Sequence, residues 1–242
     1  MHLLKKGGFF LILTGLLQFG KVTVSGQNLQ LFFDTGRWIY ANDCPDRLYI
    51  TSTVEMLHTD KYGLFFYLVD MDYTKKGIYS AYWQLIRELQ FWKFPLSIQL
   101  QYDGGLTNQY SFNHAYAIGP KYNYNNDDNT RCFSGGILYK YIQGNPINPH
   151  NFQVSITWYI SFAKGLLAYN GYADFWQEPQ INISDYAFLT KPQLYFNFNK
   201  LKKVNDNFNL SLGTEIRISY NFFVPDKFMV IPALAIKWTF WE

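Results

Sequence analysis

Residues 207–222 read N-F-N-L-S-L-G-T-E-I-R-I-S-Y-N-F, and their reading decides the fold. Phe208, Leu210, Leu212, Ile216, Ile218 and Tyr220 share one face of an extended chain. Asn209, Ser211, Glu215, Arg217, Ser219 and Asn221 share the other. A period of two is that of a β-strand. Glu215 and Arg217 stand in mid-strand between apolar neighbours, in a segment long enough to cross a bilayer at a tilt of about 45°. An apolar face turned outward over paired charges turned inward is the arrangement of a transmembrane β-barrel. A soluble sandwich or barrel would reverse it, with Glu215 and Arg217 in water and a dry apolar interior.

The same alternation recurs along the chain. Breaking it at clusters of Gly, Pro, Asn and Asp predicts twelve strands, at 28–35, 47–58, 62–73, 77–90, 94–103, 111–124, 131–142, 151–162, 166–177, 185–198, 207–221 and 227–240. The outward faces are consistent: Phe65, Tyr67, Val69, Met71 and Tyr73 in the third, Phe152, Val154, Ile156, Trp158, Ile160 and Phe162 in the eighth, and Phe228, Val230, Leu234, Ile236, Trp238 and Phe240 in the last. The expected fold is all-β, an antiparallel up-and-down transmembrane β-barrel of twelve strands. An even count puts both barrel termini on one side, the periplasm by analogy with bacterial barrels. Pro192 and Pro232 each remove a ladder donor inside a predicted strand, so a bulge or bend is expected at both. Outer loops are expected to be short, about 5 to 10 residues.

Composition agrees. Aromatic residues make up 20% of the 242 residues, while the mean hydropathy is −0.16. That is too polar for a bundle of membrane helices, but it suits a barrel in which alternate residues meet lipid and aromatic girdles mark the interfaces. Residues 1–26 read as a signal peptide: Lys5 and Lys6, an apolar run from Phe9 to Leu17, then small residues Val24-Ser25-Gly26 before Gln27. The barrel domain is then 27–242. Lys5, Lys6 and Lys21 would leave with the leader, and the formal charge of +3 with them. The basic pI of 8.6 therefore implies no nucleic acid. Cys44 falls in the first outer loop and Cys132 opens the seventh strand at the opposite rim. Such a separation exceeds the roughly 7 Å Cα limit of a disulfide, so both are expected unpaired.

The faces opposite the apolar ones line the lumen. They carry Glu55, Asp70, Asp72, Glu88, Asp103, Asp174 and Glu215, with the acids crowded into strands two to five. The bases Lys121, Lys140, Lys191, Arg217 and Lys237 fall in strands six to twelve. Acids facing bases would brace the interior or set up a transverse field for a polar solute. Tyr82, Tyr159, Tyr172, Trp176 and Tyr195 also point inward, and Tyr172, Asp174 and Trp176 alternate along one wall where a flat solute could stack. The candidate solute-binding residues are thus Asp70, Asp72, Tyr82, Tyr159, Tyr172, Asp174, Trp176, Lys191, Tyr195, Glu215 and Arg217. In strand four Arg87 and Glu88 cannot both face inward without a bulge. His58, His114 and His150 stand apart, and no catalytic or metal-ligand motif is present. The only candidate pair for a hydrolase is Ser111 with His114. Neither catalysis nor a cofactor or metal is expected.

Several segments carry a family resemblance: Thr51–Met56, Asp60–Gly63, Phe65–Tyr73, Ala81–Trp83 with Arg87–Leu89, Gly171–Trp176, and Gly213–Glu215 with Ser219–Phe222. Over roughly 27–240 the chain resembles the Tsx-like outer-membrane proteins, and more closely a branch of that superfamily known only as a domain of unknown function. Tsx itself is a twelve-stranded nucleoside-specific channel, so the resemblance implies a twelve-stranded outer-membrane channel, without supplying the branch's own substrate. The expectation is a monomer in outer-membrane lipid that passes a small polar solute passively, a nucleoside first. The alternative is a plugged, non-conducting barrel with a structural or interaction role.

Overall fold

The computed structural model describes residues 25–241 apart from 46, 48, 181 and 182. Residues 1–24 of the expected leader lie outside the described residues. Thirteen strand segments form one antiparallel sheet: β1 (Ser25–Asp34), β2 (Ile50–Asp60), β3 (Gly63–Thr74), β4 (Gly77–Leu89), β5 (Leu96–Thr107), β6 (Ala115–Asn125), β7 (Arg131–Ile142), β8 (His150–Phe162), β9 (Leu167–Gln177), β10 (Tyr186–Thr190), β11 (Gln193–Asn197), β12 (Leu210–Tyr220) and β13 (Phe228–Trp241). Each pairs with the next except β10 with β11, and β1 pairs with β13 to close the ring. β10 and β11 both pair with β9 and with β12, so they are two halves of one stave and the barrel has twelve. Closure gives every stave two ladder neighbours, which a chain crossing hydrocarbon requires. The partnership of Gln27 with Trp241 brings the start of β1 and the end of β13 to the same end of the barrel. β1 begins at Ser25, two residues ahead of the expected cut.

Neither proline produces the expected bulge. The pairings Thr190↔Ala173 and Gln193↔Asn170 keep one register across Lys191–Pro192, so the ladder is interrupted without slipping. Pro192 still accepts from the Ile216 amide at 3.0 Å. Its ring fits because Gly171 stands opposite, where a Cβ would fall 2.6 Å from the Lys191 carbonyl oxygen. At Pro232 no donor is missed. β1 ends at Asp34 beside Ala233, and the Pro232 carbonyl accepts only from Thr35, from the amide at 3.3 Å and the hydroxyl at 2.6 Å. In an antiparallel ladder the amide and carbonyl of a residue point the same way, so the absent N–H of Pro232 faces the space beyond the end of β1. The irregularity in β4 lies at Tyr79, skipped between the pairings Asp72↔Ser80 and Tyr73↔Ile78. From Ser80 to Leu89 the register is unbroken, so Arg87 and Glu88 take opposite faces: Glu88 turns inward and is buried, while Arg87 turns outward to Asp60 at 2.9 Å.

Loop lengths depart from expectation in both directions. The first outer loop spans 35–49 and contains the helical turn α1 (Gly36–Ile39), whereas β3 and β4 are joined by Lys75 and Lys76 alone. The other connections at that end are 108–114, 143–149, 178–185 and 221–227.

The outside of the barrel is apolar. Leu100, Ile118, Ile137, Ile156, Leu212 and Leu234 are all exposed, Ile137 and Leu234 by more than 60%. Aromatic rings flank this band at both ends. Tyr102 contacts Tyr116 and Phe175 stacks on Tyr186 towards the outer loops; Phe198, Phe208 and Trp238 form a chain of edge contacts towards the termini. A closed belt of exposed aliphatic side chains between two aromatic girdles is the surface of a barrel immersed in hydrocarbon.

Candidate lumen site

The inward faces build two ionic clusters. The first is centred on Arg217 of β12. On the neighbouring stave, β13, Ile231 pairs with Arg217, and the next inward residues, Ala233 beside Glu215 and Ala235 beside Gly213, are each 3% exposed. Small side chains there let Arg217 reach across β13 to Asp34 of β1, Nη1 to Oδ2 at 2.6 Å, and to Thr51 of β2, Nη2 to Oγ1 at 2.9 Å. Its Nε donates to Glu215 at 2.6 Å. Glu215 also accepts from Gln193 at 2.6 Å, and Gln193 and the Tyr195 hydroxyl both donate to Gln30. The Tyr195 ring lies over Gly213, where a Cβ would stand 2.6 Å from it. A second guanidinium comes from the first outer loop: Arg47 donates to both oxygens of Asp34, at 3.0 and 2.7 Å. Asp34 is wholly buried and Glu215 is 2% exposed. Two buried carboxylates facing two guanidiniums satisfy the requirement that buried charge be paired and hydrogen-bonded.

The second cluster is wetter. Lys191, at the interruption between β10 and β11, bridges the lumen to Asp70 of β3 at 2.9 Å, with its side chain 15% and that of Asp70 28% exposed. Thr53 donates to Asp70, and Lys191 Nζ stands 5.9 Å from the Tyr172 ring centre. Ser80 donates to Asp72 at 2.7 Å. Tyr82 stands beside Asp70 in the ladder and bonds to Asp103, which also accepts from Gln84 and Gln101. Asp174 bonds to Ser155. Asp72, Tyr82, Tyr172 and Asp174 keep partial access to water.

The eleven candidates therefore divide. Glu215, Arg217 and Tyr195 belong to the dry cluster; Asp70, Asp72, Tyr82, Tyr172, Asp174 and Lys191 surround the wet one. Trp176 is placed inward on β9 as expected, but it does not extend a stacking wall. It is 7% exposed, packed against Ala187 and Leu189, with its indole N–H on Glu178 at 2.9 Å. Tyr159 has the inward parity but lies towards the terminal end of β8, 39% exposed and apart from both clusters. The expected opposition of an acidic and a basic half holds only for Asp70 and Lys191. Glu88 and Lys121 instead pair along the wall, at 2.6 Å, with Ser97 of the intervening β5 between them. Arg217 pairs with Glu215 on its own strand and with Asp34 across β13.

Asp34, Gln30, Thr51 and Arg47 are members of the dry cluster that alternation did not single out. Asp34 shares the parity of Gln30 and Phe32, a signal present in the sequence. Arg47 sits in an irregular loop where no periodicity points it anywhere. Both cysteines are free thiols at opposite ends of the barrel, as expected, and burial raises the Cys44 thiol above its ordinary range. Among the described residues no group of three or more His, Cys, Asp or Glu side chains is placed to hold a metal.

A family model described as a domain of unknown function (DUF5020) matches residues 26–240. No curated protein matches the chain by sequence. Among solved structures, the NanC porin superposes with a TM-score of 0.54 at 4% identity, covering 89% of this chain and 99% of its own. OccK5 (OpdH) of Pseudomonas aeruginosa gives 0.43 at 9% identity over 90% of this chain and 66% of that one. A BenF-like porin of Pseudomonas fluorescens gives 0.42 at 9% identity over 88% and 58%. The likeness to NanC is one of fold, a closed barrel of matching size.

Proposed function

The chain belongs to the DUF5020 family across nearly all of its barrel, and from that premise we propose that it is a monomeric channel of the bacterial outer membrane, passing small polar solutes passively, with its termini in the periplasm. The observation that carries this reading is the wet cluster. Partly hydrated charges and tyrosines on β3, β4 and β9 face one another inside a wall whose exterior is apolar. Weak contacts at several places let a solute enter and leave, and no covalent step or cofactor is called on. Nucleosides, implied by the Tsx-like resemblance, are the finer reading, with the Tyr82 and Tyr172 rings as stacking surfaces.

A second reading has its own support. Tyr195, Met229 and Ile231 point into the barrel at zero exposure, so one side of the interior is filled by side chains. A barrel filled throughout would be a structural or docking protein. Planar-bilayer recordings of the refolded protein separate the two. Discrete openings support the channel, and openings blocked by added nucleosides support the finer reading. A folded protein that never conducts removes the channel in favour of the filled barrel.

A further inference from the structure

The inward charges do not cancel. Asp70–Lys191 and Glu88–Lys121 are matched pairs, and Asp34 with Glu215 is balanced by Arg217 with Arg47. Among the described inward residues, Glu55, Asp72, Asp103 and Asp174 then stand against Lys140 and Lys237. All four carboxylates take neutral donors: Glu55 from Asn28 and Gln30, Asp72 from Ser80, Asp103 from Gln84 and Gln101, and Asp174 from Ser155. A hydroxyl or amide satisfies lone pairs without removing the charge. The lumen therefore carries a negative excess, in a low-dielectric wall that strengthens its field.

An independent observation shows what that lining accommodates. Four of the protein's own cations rest on inward aromatic rings: Lys237 4.0 Å from the centre of Tyr195, Lys140 4.9 Å from Trp176, Arg217 5.3 Å from Phe32 and Lys191 5.9 Å from Tyr172. Ring faces attract cations. The Lys191 ammonium, held between the Asp70 carboxylate and the Tyr172 ring, is an internal stand-in for a cationic solute meeting the same groups.

We propose that the pore selects cations, and that the organic solutes it favours carry a protonated amine. The inference rests on the channel reading and goes beyond it. The test is the reversal potential of the open pore under a KCl gradient, followed by replacement of K⁺ with ethanolammonium and of Cl⁻ with acetate. The expected result is a several-fold permeability preference for K⁺, with ethanolammonium carrying current and acetate carrying little. Asp72→Asn with Asp103→Asn is expected to move the ratio towards one. An open pore with no preference, or with one for Cl⁻, overturns the selectivity and leaves the channel standing. A K⁺ preference untouched by the paired substitution overturns its assignment to these carboxylates. A folded protein without openings overturns the channel reading and this one together.

Discussion

Two salt-bridged clusters share one lumen and teach opposite lessons. Around Arg217 both carboxylates and Arg217 itself are buried, Arg47 alone keeping slight access to water from its loop, and the adjacent stave sets the small Ala233 between Glu215 and Asp34. Around Lys191 the same kinds of group keep contact with water, are spread over opposite walls and leave some carboxylates to neutral donors. Charge buried dry is fixed in place, because removing one partner strands the other without solvent. Charge left wet is cheaper to disturb and is free to exchange partners with a passing solute. The first cluster is therefore read as framework and the second as function.

The largest expected effect comes from breaking the dry cluster. Arg217→Met removes the salt-bridge partner of Glu215 and leaves Asp34 dependent on Arg47. By analogy with other buried pairs it should cost about 3–5 kcal/mol, read as a lowered urea midpoint in detergent micelles. Adding Glu215→Gln should recover part of that loss; no recovery would mean that packing over Ala233 and Ala235, and not stranded charge, is what Arg217 supplies. Lys191→Met sharpens the contrast from the other side. Its partly hydrated bridge should cost only about 1 kcal/mol, while single-channel conductance changes clearly. A stability loss matching that of Arg217→Met would erase the distinction between the clusters. The smallest effect is expected of Tyr195→Phe, which removes one hydrogen bond to Gln30 and should cost about 1 kcal/mol or less with conductance unchanged.

Much of this was legible in the sequence because the barrel's rule is local. Alternation alone turned Glu215 and Arg217 inward, and the same rule gave the outward faces of β3, β8 and β13. What it could not supply was height and reach. Tyr159 and Tyr172 have the same parity, yet stagger between staves places one near a rim and the other beside Lys191. Arg217 finds Asp34 two staves away past the small Ala233 that stands beside Asp34, a relation among three separate segments. The prolines were misread for a related reason. Whether a missing N–H matters depends on what lies opposite, a glycine for Pro192 and the end of β1 for Pro232.

The interruption at Lys191–Pro192 has one more consequence, before the barrel exists at all. On the channel reading proposed above, a chain bound for the outer membrane must stay unpaired and unaggregated in water while its apolar strands wait for lipid. Segments of five to seven apolar, β-prone residues without proline are the templates for stacking against copies of themselves, at roughly that length. Pro192 cuts the tenth stave into two five-residue pieces, Tyr186–Thr190 and Gln193–Asn197, neither of which offers a long unbroken edge to another chain. The residue that looks like a flaw in the finished wall acts as a guard on the unfinished one.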